Sequence, residues 1–138
     1  MNAGDFDITG MSFDKVTGVL DAGDLQFNNC FIGQMDVETD AGNIECTGGQ
    51  YTDIRLNSDA GNVEFDDVSF ENLDIEASFG NIEIDGLDDI RSYTIDVSCD
   101  AGSVEVGGSE SFGSYHSEGT GSGTITIDCN AGSIEINN

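Results

Sequence analysis

Seven residues built around one glycine recur seven times in this chain, and their spacing restricts what it can fold into. Asp21-Ala22-Gly23-Asp24-Leu25-Gln26-Phe27 is matched by Asp40-Ala41-Gly42-Asn43-Ile44-Glu45-Cys46 and by Asp59-Ala60-Gly61-Asn62-Val63-Glu64-Phe65. The other copies begin at Asn2, Ser78, Asp100 and Asn130. The motif glycines are Gly4, Gly23, Gly42, Gly61, Gly80, Gly102 and Gly132, giving intervals of 19, 19, 19, 19, 22 and 30 residues. Such a period is the signature of a solenoid, in which each coil buries its apolar side only by stacking on its neighbours.

Within a coil, apolar residues alternate with polar ones, as in a strand with one buried face. Two and four residues after the glycine stand Leu25 and Phe27, Ile44 and Cys46, Val63 and Phe65; further apolar pairs follow at seven and nine, and at twelve and fourteen. The pattern predicts an all-β, single-stranded parallel β-helix with three short strands per coil of about nineteen residues, filling positions 1–138 as one domain. Equivalent residues then lie about 4.8 Å apart, so Ile44, Val63, Ile82, Val104 and Ile134 form one interior stack in chain order. At the corner, Asp-Ala-Gly-Asn suits a type II turn with glycine at its positive-φ place and the leading Asp accepting from nearby backbone N–H groups. The seven glycines are therefore structural turn residues.

The period breaks after Ile84 and after Val106, by three and eleven residues, which predicts two insertions protruding at neighbouring corners. The larger, at about 107–123, is rich in Gly and Ser and carries Phe112, Tyr115 and His116. It reads as a flexible loop or a flap over the last coil, and a long loop on a rigid scaffold is also a natural place for recognition.

Charge narrows the partners. Three Lys plus Arg stand against 28 Asp plus Glu, a formal charge of -25, which disfavours nucleic acid and anionic lipid. The longest apolar run is Cys30-Phe31-Ile32, too short to enter a membrane, and there is no signal region at the start. The sequence opens and stops on the repeat without a polar cap, as a domain of a longer protein would, and a bare solenoid end invites end-to-end or edge association. Cys30, Cys46, Cys99 and Cys129 lack metal-site spacing and are expected to be buried, reduced thiols, with Cys99 and Cys129 one coil apart.

With these copies in view, the chain resembles a bacterial family of adhesin-type domains of unknown function, whose repeats carry a small or acidic residue, Gly, Asp or Asn, then Ile or Val beside acids. The resemblance runs from Asn2 to Ile136. It implies a β-helix, expected to be right-handed, on the outer side of the cell envelope, with no established catalytic residues. The expected function is a non-catalytic display or interaction module whose partner is a surface protein or glycan. The alternative is the sensory or regulatory ectodomain of a membrane protein, responsive to cations. No cofactor is expected. Ca2+ is the one ion the sequence raises, through an outward ladder of Glu45, Glu64, Glu83, Glu105 and Glu135, of which the first three are the weak candidates, and a second of Asp21, Asp40 and Asp59. Flat ladders, however, present oxygens side by side where Ca2+ needs them convergent. His116 near Ser114 and Ser117 is too little for a hydrolytic triad, so the chain is not read as an enzyme.

Overall fold

The computed structural model describes residues 4–86 and 90–137. Asn2 and Ala3 of the first motif copy, and Leu87 to Asp89 of the first insertion, lie outside the described residues. The elements are β1 (Phe6–Thr9), β2 (Ser12–Ala22), β3 (Leu25–Ala41), β4 (Ile44–Ala60), β5 (Val63–Asp66), β6 (Asn72–Asp85), a 3-10 turn at Ile90–Ser92, β7 (Tyr93–Val106), β8 (Ser109–Ser117) and β9 (Gly123–Ile136). The nine strands belong to one sheet. Up to β6 the partners are parallel and nineteen residues apart: Phe6 lies against Leu25, Leu25 against Ile44, Ile44 against Val63 and Val63 against Ile82. Ladders run on through the places where short strands were expected to break, so β3 and β4 are continuous elements of 17 residues each.

The interior follows the alternation in the sequence. Phe27, Met35, Val37, Ile44, Cys46, Ile54, Leu56, Val63, Phe65, Leu73 and Ile75 are buried in one cluster extending to Ile134 and Ile136. Each fully buried aliphatic side chain contributes roughly 1.5–3 kcal/mol. Apart from the buried Thr39 and Ser58, the polar residues between them are exposed or half-buried, which is why a chain this acidic still has a continuous apolar core.

The last three strands do not stack in chain order. β9 lies between β6 and β7: Ile134 pairs with Ile82 on one side and with Val104 on the other. The interior stack therefore runs Ile82, Ile134, Val104, a correction to the sequential order expected from the repeat. The cause is the second insertion. Gly107 and Gly108 have φ of 57° and 86°, the two positive values that a tight two-residue hairpin turn requires. They fold β8 back antiparallel along the outer edge of β7, with Val106 opposite Ser109 and Val97 opposite Tyr115. With that edge covered, β9 takes the slot on the inner side of β7. The insertion is thus a paired strand along the edge of β7, nearer to the flap over the last coil than to the flexible loop, the two forms that the sequence allows.

The two ends differ. β1 and β2 have β3 as their ladder neighbour and none on the other side among the described residues. Phe6 and Met11 occupy interior positions, yet are 45% and 49% exposed, against 5% and 0% for their equivalents Leu25 and Cys30 one rung in.

Candidate functional site

At the repeat corner every motif glycine has positive φ, from 121° at Gly4 to 153° at Gly102. These values lie beyond the roughly +80° of a type II turn, in the extended mirror region that only glycine occupies readily. The glycines stack so closely that a Cβ on one would overlap the carbonyl oxygen of the next: Gly61 on Gly42, Gly80 on Gly61, Gly132 on Gly80 and Gly102 on Gly132.

The side-chain acceptors at this corner are the residues after the glycine, not the leading Asp. Asp24 Oδ1 accepts from the Asn43 backbone N–H at 3.1 Å, Asn43 Oδ1 from Asn62 at 3.0 Å, and Asn62 Oδ1 from Asn81 at 3.1 Å. Asn81 Oδ1 then takes the N–H and hydroxyl of Ser133, at 3.3 and 2.9 Å. This ladder ties each rung to the next and crosses to β9 where the chain order changes. Asp21, Asp40 and Asp59 stand exposed outside it.

A second corner was not anticipated from the sequence. Six residues after each of the first five glycines lies another positive-φ residue: Gly10, Asn29, Gly48, Asp67 and Gly86, with φ of 66°, 51°, 66°, 53° and 77°. Gly, Asn and Asp are the residues that tolerate this left-handed conformation, so the signal lay in the aligned repeats.

The outward glutamates form one row across the sheet. Glu45 pairs with Glu64, Glu64 with Glu83, Glu83 with Glu135, Glu135 with Glu105, and Glu105 with Glu110 of β8. No group of three or more His, Cys, Asp or Glu converges on a metal-sized site among the described residues. Like charges in register repel at strand spacing, but at Glu83 that repulsion is the smaller influence. A hydrogen bond with Asp85, with help from partial desolvation and the charges of Asp85, Glu64 and Glu135, holds its carboxyl up to about 7.

A carboxyl whose pKa is higher in the folded state stabilises the fold while protonated. That contribution is complete below the ordinary value of 4.5 and is lost as pH rises through about 7. Lowering the pH from 8 to 6 is therefore expected to raise the melting temperature, and Glu83→Gln to flatten that rise. Scanning fluorimetry of the two proteins checks this; an identical pH slope would remove Glu83 from the account.

The four cysteines are buried free thiols. Cys99 on β7 and Cys129 on β9 are direct ladder partners, and Cys99 Sγ donates to the carbonyl of Gly132 at 3.6 Å. Burial first, and the neighbouring Cys99 thiol second, push Cys129 up to about 12. Burial likewise raises Cys46, which sits beside the Tyr51 phenol. Cys46 and Cys129 are therefore protonated thiols at neutral pH.

Phe112, Tyr115 and His116 all lie on β8 and divide between its faces. Tyr115 turns inward and packs on the core, while Phe112 is 87% exposed and His116 projects outward opposite Asp96. Ser114 shares the outer face and Ser117 does not. Phe31, and Phe79 in the place before the motif glycine where the other copies carry Ala, were not among the expected interaction residues, yet are 52% and 63% exposed. Phe31 sits between the inward Cys30 and Ile32, so the alternation itself marks it as outward.

Stacked parallel rungs closed by an antiparallel strand define a β-solenoid class of protein. The chain belongs to the Toastrack DUF4097 family, whose model matches residues 1–137. No curated protein and no solved structure matches it. No helix among the described residues is long and apolar enough to cross a membrane.

Proposed function

We propose that this domain is a non-catalytic display and interaction module of the bacterial cell envelope, binding a surface protein or glycan through the outer face of β8. One observation carries the reading. The largest departure from the repeat is built as an ordered strand that holds Phe112 and His116 outward on the closed end of the rod. A solvated aromatic with polar neighbours on a rigid scaffold is suited to recognition. The -25 charge favours a neutral or cationic partner. The winding is read as right-handed, the hand of nearly all parallel crossover connections, with about nineteen residues and three sides per turn.

Deleting residues 107–123 would remove the sealing strand along with the binding face, so point variants are the cleaner test. Intact protein and the Phe112→Ser/His116→Ala variant would be compared on a panel of neutral glycans and envelope proteins. At least a tenfold loss of affinity, with an unchanged melting temperature, is expected. Equal binding by both proteins would refute β8 as the site. A second reading, the sensory ectodomain responsive to protons or cations, is favoured by Glu83 alone, whose carboxyl titrates near neutral pH within the acidic row. Chemical shifts that change across the whole sheet with the titration of Glu83 would support it, whereas changes confined to Glu83 and Asp85 would not.

A further inference from the structure

One flank of the rod differs from the other two. The residues that point outward just after the second corner form a row across the first four rungs: Ser12 beside Phe31, Phe31 beside Gln50, and Gln50 beside Ser69. All four are exposed, Phe31 by 52%. This row carries no charge, whereas the outward polar rows of the other two flanks carry acids within the same rungs, such as Glu45 and Glu64 on one and Asp36 and Asp74 on the other. The row borders an open groove of about 530 Å³, whose floor includes the buried Ile32, Tyr51 and Phe70. Gly33 lines the groove without filling it, since a side chain there is barred by the Asp14 carbonyl oxygen, 2.7 Å from where a Cβ would stand.

The lining selects the ligand. The backbone of this flank is already bonded from rung to rung: Phe31 N–H donates to Met11 O at 2.9 Å, Tyr51 N–H to Ser69 O at 2.7 Å and Ser69 N–H to Gly49 O at 3.2 Å. A peptide strand added here would find no main chain to pair with. What remains is one exposed aromatic ring, the hydroxyls of Ser12, Thr52 and Ser69, the Gln50 amide, and the carboxylates of Asp14 and Glu71. The face of an aromatic ring is negative and attracts the polarised C–H groups of a pyranose. Hydroxyls and an amide around it donate to and accept from sugar hydroxyls, while the two carboxylates repel an acidic sugar. The volume is that of a small-ligand site. We infer that this groove is a binding site for a short, uncharged oligosaccharide, stacked on Phe31 and oriented by Gln50. It runs along the flank and across the rungs, so further rungs at either end of the rod would lengthen it without covering it. It shares no residue with β8, and it stands whether or not β8 binds a partner.

The probes are cellotriose, maltotriose and triacetylchitotriose, with trigalacturonate as their acidic counterpart, titrated into the intact protein by calorimetry and followed by amide chemical shifts. Saturable one-to-one binding of at least one neutral trisaccharide is expected, with shifts centred on residues 12–14, 31–33, 50–52 and 69–71. Trigalacturonate should bind at least tenfold more weakly. Phe31→Ser/Gln50→Ala should lose at least tenfold in affinity for the neutral sugar, whereas Phe31→Tyr, which keeps the ring, should bind like the wild type. Both replaced side chains are exposed, so these variants are expected to stay folded, and their melting curves verify that. Phe31→Leu binding as tightly as the wild type would overturn the saccharide assignment in favour of a general apolar contact. Trigalacturonate binding as tightly as the neutral sugars would overturn the selection by charge. Phe112→Ser/His116→Ala should bind the trisaccharide unchanged; affinity lost in that variant, with shifts centred on β8, would overturn this groove in favour of the β8 face. Absence of binding by all three neutral trisaccharides would overturn the inference outright and leave the β8 reading untouched.

Discussion

Replacing Gly61 with valine is expected to unfold the protein or to lower its melting temperature by about 15 °C, at roughly 4 °C per kcal/mol for a chain of this size. Two effects combine. Gly61 has φ of 131°, and any Cβ there would overlap the Gly42 carbonyl oxygen of the neighbouring rung. Holding a β-branched residue in that backbone region costs about 1–3 kcal/mol. The overlap adds to this because the Gly61 N–H is held to Phe79 O at 3.2 Å and the corner cannot open without breaking the column. Two controls isolate the cause. Gly18→Ala meets nothing within 4 Å and has no positive φ, so it should change stability by less than about 0.5 kcal/mol. Gly10→Asn keeps a positive φ of 66° in open space, the conformation that Asn29 already adopts at 51°. It should be tolerated too. If Gly61→Val melted with the wild type, the stacked glycine column would not be what fixes the corner.

The contrast between these glycines shows how far the sequence could be read. The motif column was legible because its copies align at a constant interval, and the inward positions because alternation survives in every coil. Phe27, Ile54 and Leu73 are buried where the pattern requires. The second corner was hidden because Gly10, Asn29, Gly48, Asp67 and Gly86 share a conformation without sharing an identity. The Asx ladder was misplaced by three residues for a related reason. Asp at the head of the motif and Asp or Asn after the glycine are equally capable acceptors, and only the backbone shows which one reaches the next rung.

The acidic row teaches a different lesson. Its members could be named from the repeat, but not its extent, since Glu110 joins through the β8 hairpin and Glu135 stands between Glu83 and Glu105. Of the three residues proposed for the interaction loop, alternation along a strand would have turned Tyr115 inward and left Phe112 and His116 outward. The Gly107-Gly108 pair, flanked by alternating residues, was the available signal for that strand. The order of the last rungs had no such signal. Ile134 and Val104 are both β-branched aliphatics that differ by one methylene and are both buried, so burial alone does not decide which stacks on Ile82.

Removing β9 tests that order directly. Were β9 the terminal rung, truncation after Ser122 would shorten the rod by one coil and leave β7 paired to β6. With β9 between them, the same truncation takes away the strand to which β6 and β7 are both paired. It also removes Ile125, Ile127, Ile134 and Ile136, all buried to within 1%. At roughly 1.5–3 kcal/mol each, those four side chains represent about 6–12 kcal/mol, comparable to the whole stability of a domain of this size. The truncated chain is expected to lose hydrogen-exchange protection throughout β7 and β8, while β3 and β4, remote from the slot, keep theirs. Adding residues 123–138 as a separate peptide should restore protection to β7, because the vacated slot offers twelve ladder partners on β6 and thirteen on β7. Protection of β7 that survives truncation without the peptide would mean that β7 docks on β6 by itself, and that the inserted strand is not what holds the closed end of the solenoid together.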